Sequence, residues 1–232
     1  MEVVFMNKCL HAIALLACIS SSTLSAELIK EYFDKNHTKL KSETNYIDGT
    51  HTKISKGIKN GIEKIYYQEG SLAYVVNYVD GKRDGILTWF DKEGHKLLEV
   101  SYKRGLLHGR EISYHTNGTI KHTVTYIDDK KEGFFKEYYD NGILALRVEY
   151  IKNKKEGLQQ EYTYKGKLYS EVFYKNNYKE GLQKWYDENE KVTKSELFKH
   201  DRPLHVMKQI QDKTKKTQII INSIDFSLQK PQ

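Results

Sequence analysis

Three histidines stand seven residues apart, His108, His115 and His122, and the last two flank Asn117-Gly118. That spacing could bring two imidazoles together across a tight turn. A zinc site needs three or four ligands in fixed geometry, so the three read as surface histidines and no metal is expected. Acidic residues recur immediately before a glycine, at Asp84, Glu132, Glu156 and Glu180. General acid–base catalysis needs a unique pair in a pocket, whereas an acid that returns at a fixed interval is turn chemistry. The signatures G-x-S-x-G, H-E-x-x-H, G-x-x-x-x-G-K-[ST] and G-x-G-x-x-G are absent. The two cysteines, Cys9 and Cys18, both fall near the start. The rest of the chain therefore has no thiolate nucleophile, disulfide or thiolate metal site. The expectation is a protein without enzymatic activity or cofactor.

The elements that carry these residues repeat. Gly61, Gly85, Gly109, Gly133, Gly157 and Gly181 are spaced by 24 residues without a slip. With each glycine counted as zero, position +5 holds Tyr66, Phe90, Tyr114, Tyr138, Tyr162 and Tyr186. Position +9 is glycine until Glu190, +15 is valine from Val76 to Val172 until Glu196, and +17 is tyrosine from Tyr78 to Tyr174, then Phe198. Apolar and aromatic residues favour odd offsets (+1, +5, +11, +15, +17), which is the period of a strand. Pairs such as Asn117-Gly118 and Asn141-Gly142 accept positive φ and predict tight hairpin turns. The second connection, as in Asp80-Gly81-Lys82-Arg83-Asp84-Gly85, reads as longer and polar. One repeat is then one β-hairpin, and the predicted fold is all-β, an elongated antiparallel β-hairpin repeat array. One hairpin is marginal alone, so neighbours must stabilise one another. The tyrosine and valine columns, at odd offsets, are expected to share one face as core.

Residues 1–26 read as a secretory leader: a polar start, an apolar run CLHAIALLACIS too short to span a bilayer, and small residues ending at Ala26. A second cleavage reading, at Leu15-Leu16-Ala17-Cys18, resembles a bacterial lipobox and would lipidate Cys18. Residues 27–60 are expected to form an N-terminal cap and a degenerate repeat. There Leu28, Ile29, Tyr32 and Phe33 are at helical spacing, which predicts a short helical cap. Six repeats occupy 61–204. Residues 205–232 form a tail in which QIIINSIDFSL (218–228) is a strand candidate pairing with the last hairpin or an edge.

The pattern G-x-x-x-x-Y-x-x-x-G-x-L-x-x-x-V-x-Y, best seen in GFFKEYYDNGILALRVEY (133–150), resembles the MORN repeat, and more closely the MORN-repeat variant of bacterial antitoxin-like proteins. The resemblance implies a twisted β array that serves as a scaffold for protein contacts, membrane association or toxin neutralisation. It brings no catalytic residues with it. Lys96 departs from the pattern, and the last repeat is degraded.

The chain of 232 residues carries a net charge of +7. That charge suits an acidic protein or an anionic membrane surface. Nucleic acid is disfavoured by the leader and by interleaved Glu and Asp. Even offsets should be polar, so aromatics there are the candidate partner-binding residues: Trp89, Trp185, Tyr67, Tyr139, Tyr169 and Phe173. The expected function is an exported protein-binding scaffold of the bacterial envelope, periplasmic or attached to the outer membrane as a lipoprotein. An immunity protein that occludes a toxin such as a lipase is one version. Alternatives are a membrane-surface protein and a secreted effector scaffold. A homo-oligomer would cover an apolar sheet face.

Overall fold

The computed structural model describes residues 26–47 and 57–204. Residues 1–25, which hold Cys18 and most of the segment read as a leader, and the candidate strand 218–228 lie outside the described residues. All regular structure in the described part is β. Each strand pairs antiparallel with its neighbours in sequence, from Ala26–Tyr32 at one end to Arg202–Leu204 at the other, in one continuous sheet. Tyr, Val and Ile on alternate positions suit a pleated surface, which is why these segments extend.

Two connections alternate, and their roles are the reverse of the expected ones. The connection between hairpins is the tight one. Asp80-Gly81, Arg104-Gly105, Asp128-Asp129, Lys152-Asn153, Asn176-Asn177 and His200-Asp201 all have positive φ at both residues. Two such residues make the turn whose twist matches that of the flanking strands. The connection that carries Asn-Gly is longer. Tyr67 and Ser71 close it through a 2.8 Å N–H···O=C bond, with Gly70 N–H bonded back to Tyr67 at 2.9 Å. Asp and Asn tolerate the left-handed conformation almost as glycine does, so the tight turn does not need a glycine and is hard to see in sequence.

The glycines at position zero are not bends between strands. They lie inside strands such as Ile58–Tyr66 and Lys154–Tyr162. The register slips there: Thr44 pairs with Glu63 while Tyr46 pairs with Lys59. Each is a β-bulge, which bends the strand and raises its twist. At Asp84 and Glu132 the bulge interrupts the strand, so Lys82–Arg83 and Gly85–Phe90 are two halves of one line.

The predicted helical cap is a correction. Residues Ala26–Tyr32 and Leu40–Ile47 form a hairpin. Its register repeats that of the later hairpins: Ile29 faces Thr44 as Glu63 faces Val76, and Thr44 then faces Glu63 as Val100 faces Glu111. A turn two residues longer, closed by the bond from Phe33 N–H to Lys39 O, and the ten residues between the paired Ile47 and Ile58, where Val79 and Lys82 have two between them, hide it from the 24-residue count. Asp34 shapes that turn, accepting the N–H groups of Thr38 and Lys39 at 3.0 Å each. The described residues therefore hold seven hairpins, one more than the 24-residue count finds.

Hairpin neighbours are laced at both rims. The acid before each glycine accepts a backbone N–H of the next tight turn: Glu132 from Lys152 (2.9 Å), Glu156 from Asn176 (2.9 Å), Glu180 from His200 (3.0 Å). In return Asn153, Asn177 and Asp201 accept the N–H of Lys131, Lys155 and Lys179 at 2.6–2.7 Å. At 4.8 Å per strand, fifteen strand lines extend roughly 67 Å along the sheet.

Candidate binding surface

Cross-strand partners share a face of a sheet. Within each hairpin the pairs sum to +17: Gly61 with Tyr78, Ile62 with Asn77, Glu63 with Val76. An even offset on the first strand thus faces an odd offset on the second. The tyrosines at +5 and the Val–Tyr columns at +15 and +17 are on opposite faces, and the expectation of a single apolar face is overturned.

The face with the valines is the core. Val76, Val100, Val124, Val148 and Val172 are all buried, together with Leu87, Gln159, Gln183 and Glu63. A single layer buries one face only by bending its side chains together, and the bulges supply that bend. Along this face the +17 aromatics alternate with cations. Lys59 sits 5.0 Å from the Tyr78 ring centre, Arg83 5.3 Å from Tyr102, Lys131 5.3 Å from Tyr150, Lys155 4.8 Å from Tyr174 and Lys179 5.0 Å from Phe198. Each contact contributes about 0.5–1 kcal/mol. Burial pushes Lys155 down from the ordinary lysine range. Burial acts the same way on Lys59, but the Glu63 carboxylate at 2.5 Å more than offsets it, and that lysine is raised.

The opposite face carries the +5 tyrosines. Tyr66, Tyr114 and Tyr186 donate to Glu43, Glu99 and Glu171 of the preceding hairpin at 2.8, 2.5 and 2.7 Å. Burial and then the carboxylate push the Tyr66 and Tyr114 hydroxyls up to about 12. Next to these clasps runs a half-exposed apolar column at +1: Leu28, Ile62, Ile86, Phe134, Leu158 and Leu182, each 40–58% exposed, interrupted by Arg110 and overlain at Phe134 by the Arg147 guanidinium, 4.2 Å from the ring centre. This stripe recurs every second strand, about 9.6 Å apart. Its partners at +16 are polar from Asn45 to Glu149, then become Phe173 beside Leu158 and Leu197 beside Leu182.

The six sequence-predicted residues do not gather. Trp89 and Trp185 lie on the valine face, about eight strands apart. Trp89 stacks on Tyr74 at 5.0 Å, and Lys194 covers Trp185 at 4.5 Å. Tyr67 and Tyr139 are turn residues whose hydroxyls donate to the backbone carbonyls of Phe90 and Tyr162 in the next hairpin, at 2.8 and 2.7 Å. Tyr169 stands at the bulge that displaces Leu168, half exposed. Phe173 alone belongs to the stripe. Sequence reading assigned the +1 column to the core; the signal that corrects it is the odd sum of paired offsets.

The histidines also separate. His108 meets Asp128 at 3.1 Å, and His115 reaches the Tyr138 carbonyl at 2.8 Å. His122 contacts the Ser113 hydroxyl at 2.6 Å and Glu111 at 3.0 Å. Ser113, His122 and Glu111 are ordered like a nucleophilic relay. Ser113 is flanked by paired strands on both sides, so nearby N–H groups point into ladders rather than converging on an oxyanion.

The recurring bulge, tight turn and lacing describe one repeated unit, and five copies of it are similar to a known repeat. Five segments of the chain match the MORN repeat variant. They are residues 59–80, 107–128, 131–152, 155–176 and 179–200. The unmatched interval holds the hairpin of Arg83 and Lys96, which keeps the register of its MORN-type neighbours. The degraded last repeat is matched. No curated protein matches the chain. The hairpin array is a repeat scaffold with the +1 stripe exposed along one face.

Proposed function

We propose that this chain is a non-enzymatic, exported protein-binding scaffold of the bacterial cell envelope, and that it binds through the +1 stripe. The observation that carries the reading is the stripe itself. Six large apolar side chains stand 40–58% exposed in register along the face opposite the buried valines. An aligned apolar row on a rigid sheet is the surface on which an elongated partner would dock. In its concrete form the protein is an immunity factor that occludes a periplasmic toxin such as a lipase. That form draws on the likeness to antitoxin-like MORN proteins, and export draws on the leader. The test is co-purification of the full chain with the product of the neighbouring gene, and again with Leu158→Asp and Leu182→Asp together. A stable complex with the unaltered chain, lost in the double variant, is expected. No complex at all removes the immunity form, and a complex that the double variant retains removes the stripe.

A second reading, association with an anionic membrane surface, is favoured by the net charge of +7. Sedimentation with anionic vesicles that disappears in high salt supports charge attraction. Sedimentation that survives salt points to lipidation at Cys18.

A further inference from the structure

The stripe changes character at its C-terminal end. Leu158 pairs with Phe173, Leu182 with Leu197, and Leu197 with Leu204. A one-residue row has become a patch two to three side chains wide, with Leu158, Phe173 and Leu182 each 42–45% exposed. At the border of this patch Glu149 and Glu156 face each other directly across the ladder. Like charges directly opposite repel, and among the described residues neither carboxylate has a cation at ion-pair distance.

The last described strand ends at Leu204, beside the patch, and the sequence continues beyond it. The first stretch holds Lys208, Lys213, Lys215 and Lys216 against one acid, Asp212. The segment 218–228 then holds Ile219, Ile220, Ile221, Ile224, Phe226 and Leu228. Thirteen intervening residues reach at most about 43 Å. From Leu204 to Leu158 is four strand spacings, about 19 Å. Length, apolar content and the order of charge all suit this one occupant.

We infer that segment 218–228 of this chain docks across the Leu158–Phe173–Leu182–Leu197 patch, with the preceding lysines beside Glu149 and Glu156. The tail thereby covers the C-terminal end of the stripe and must be displaced by a partner that uses that end. The displacement rests on the stripe being the partner-binding face; the docking itself does not.

The test places the photo-reactive residue p-benzoyl-phenylalanine at Leu182 of the full chain and maps the adducts by peptide mass. The expected result is an adduct with the tryptic peptide that begins at Thr217 and contains 218–228, on the same molecule, with a yield unchanged on tenfold dilution. A second variant, Ile220→Asp with Phe226→Asp, should lose the adduct and raise binding of an apolar-surface dye several-fold. Adducts only with other segments, adducts only between two copies, or dye binding unchanged in the second variant would overturn the docking. Capture of a partner that depends on Leu158 and Leu182 but occurs without the intramolecular adduct leaves the binding face standing and removes the tail. The adduct without any such capture does the reverse.

Discussion

Lys155 holds its ammonium nitrogen 4.8 Å from the centre of the Tyr174 ring, while Lys179 pairs with that same tyrosine from the other side. The two lysines are two strands apart and each sees the other's charge. Burial first, and then Lys179 and Lys131, bring Lys155 below the ordinary lysine range, although Glu161 works against this.

The sign for stability follows from linkage. A lysine depressed in the folded state binds fewer protons there than in the unfolded chain, so stability rises with pH up to the unfolded value. The stability of the native chain relative to Lys155→Met should therefore increase from neutral pH towards about 10.5, the ordinary lysine value. Side-chain NMR of labelled lysine should show Lys155 losing its proton before Lys59. Simultaneous titration of the two would disprove the assignment.

The tyrosine–carboxylate clasps act in the opposite sense. Tyr66 and Tyr114 are raised to about 12. A raised group contributes stability that is whole below its unfolded pKa, about 10, and is lost as pH passes through the folded one. Denaturant midpoints should fall steadily between those two values. Tyrosinate absorbance should show a late phase near pH 12, and Tyr114→Phe should remove part of it. A single phase near pH 10 in a chain that remains folded would rule the clasps out.

Much of this architecture is legible in the residues. The 24-residue spacing, the valine column and the periodic acids all point to hairpins laced at their turns. Glu132, Glu156 and Glu180 do act there. What is hidden has physical causes. A glycine fits a bulge and a turn equally well, since both need positive φ, so Gly61 and its equivalents do not declare which they serve. The tight turn uses Asn176-Asn177 as readily as Asp80-Gly81. Two extra residues after Tyr32 and eight more between Ile47 and Ile58 break the count and conceal a whole hairpin. The faces depend on how offsets sum across a turn, which no single strand reveals, and so the +1 residues Leu158 and Leu182 look as if they share the valine face while Trp89, which does share it, looks as if it lies opposite.

The glycine columns are open to direct comparison. Gly109 has φ +107, and a Cβ there would stand 2.8 Å from the Ser101 Cβ; Gly133 has φ +78 and open space around it. Gly133→Ala should cost only the left-handed backbone term, about 1–2 kcal/mol. Gly109→Ala should cost visibly more, because backbone strain and a clash act together. Glu190 takes φ +59 where the other repeats have glycine, so Glu190→Gly should stabilise by about 0.5–1 kcal/mol. Chemical denaturation of the three variants checks the order. Equal losses at Gly109 and Gly133 would mean that the Ser101 contact relaxes without cost.

The two faces make the sharpest contrast. Val148 is 1% exposed and Ile86 is 58% exposed. Truncating a fully buried valine removes two methyl groups from a packed row and leaves a void, a loss of about 2 kcal/mol. Truncating Ile86 removes more carbon, but carbon that water already reaches, so the change should stay within about 0.5 kcal/mol. If the stripe is the docking face, affinity for a partner follows the reverse order: Ile86→Ala weakens it severalfold, and Val148→Ala leaves it unchanged at temperatures where the variant remains folded. Denaturation midpoints and a binding isotherm on the same two proteins decide the matter. An Ile86→Ala chain as unstable as Val148→Ala would mean that another part of this chain covers that end of the stripe. Leu182→Ala, at the end where the tail docks, should cost more than Ile86→Ala, because there the truncation removes a covered contact.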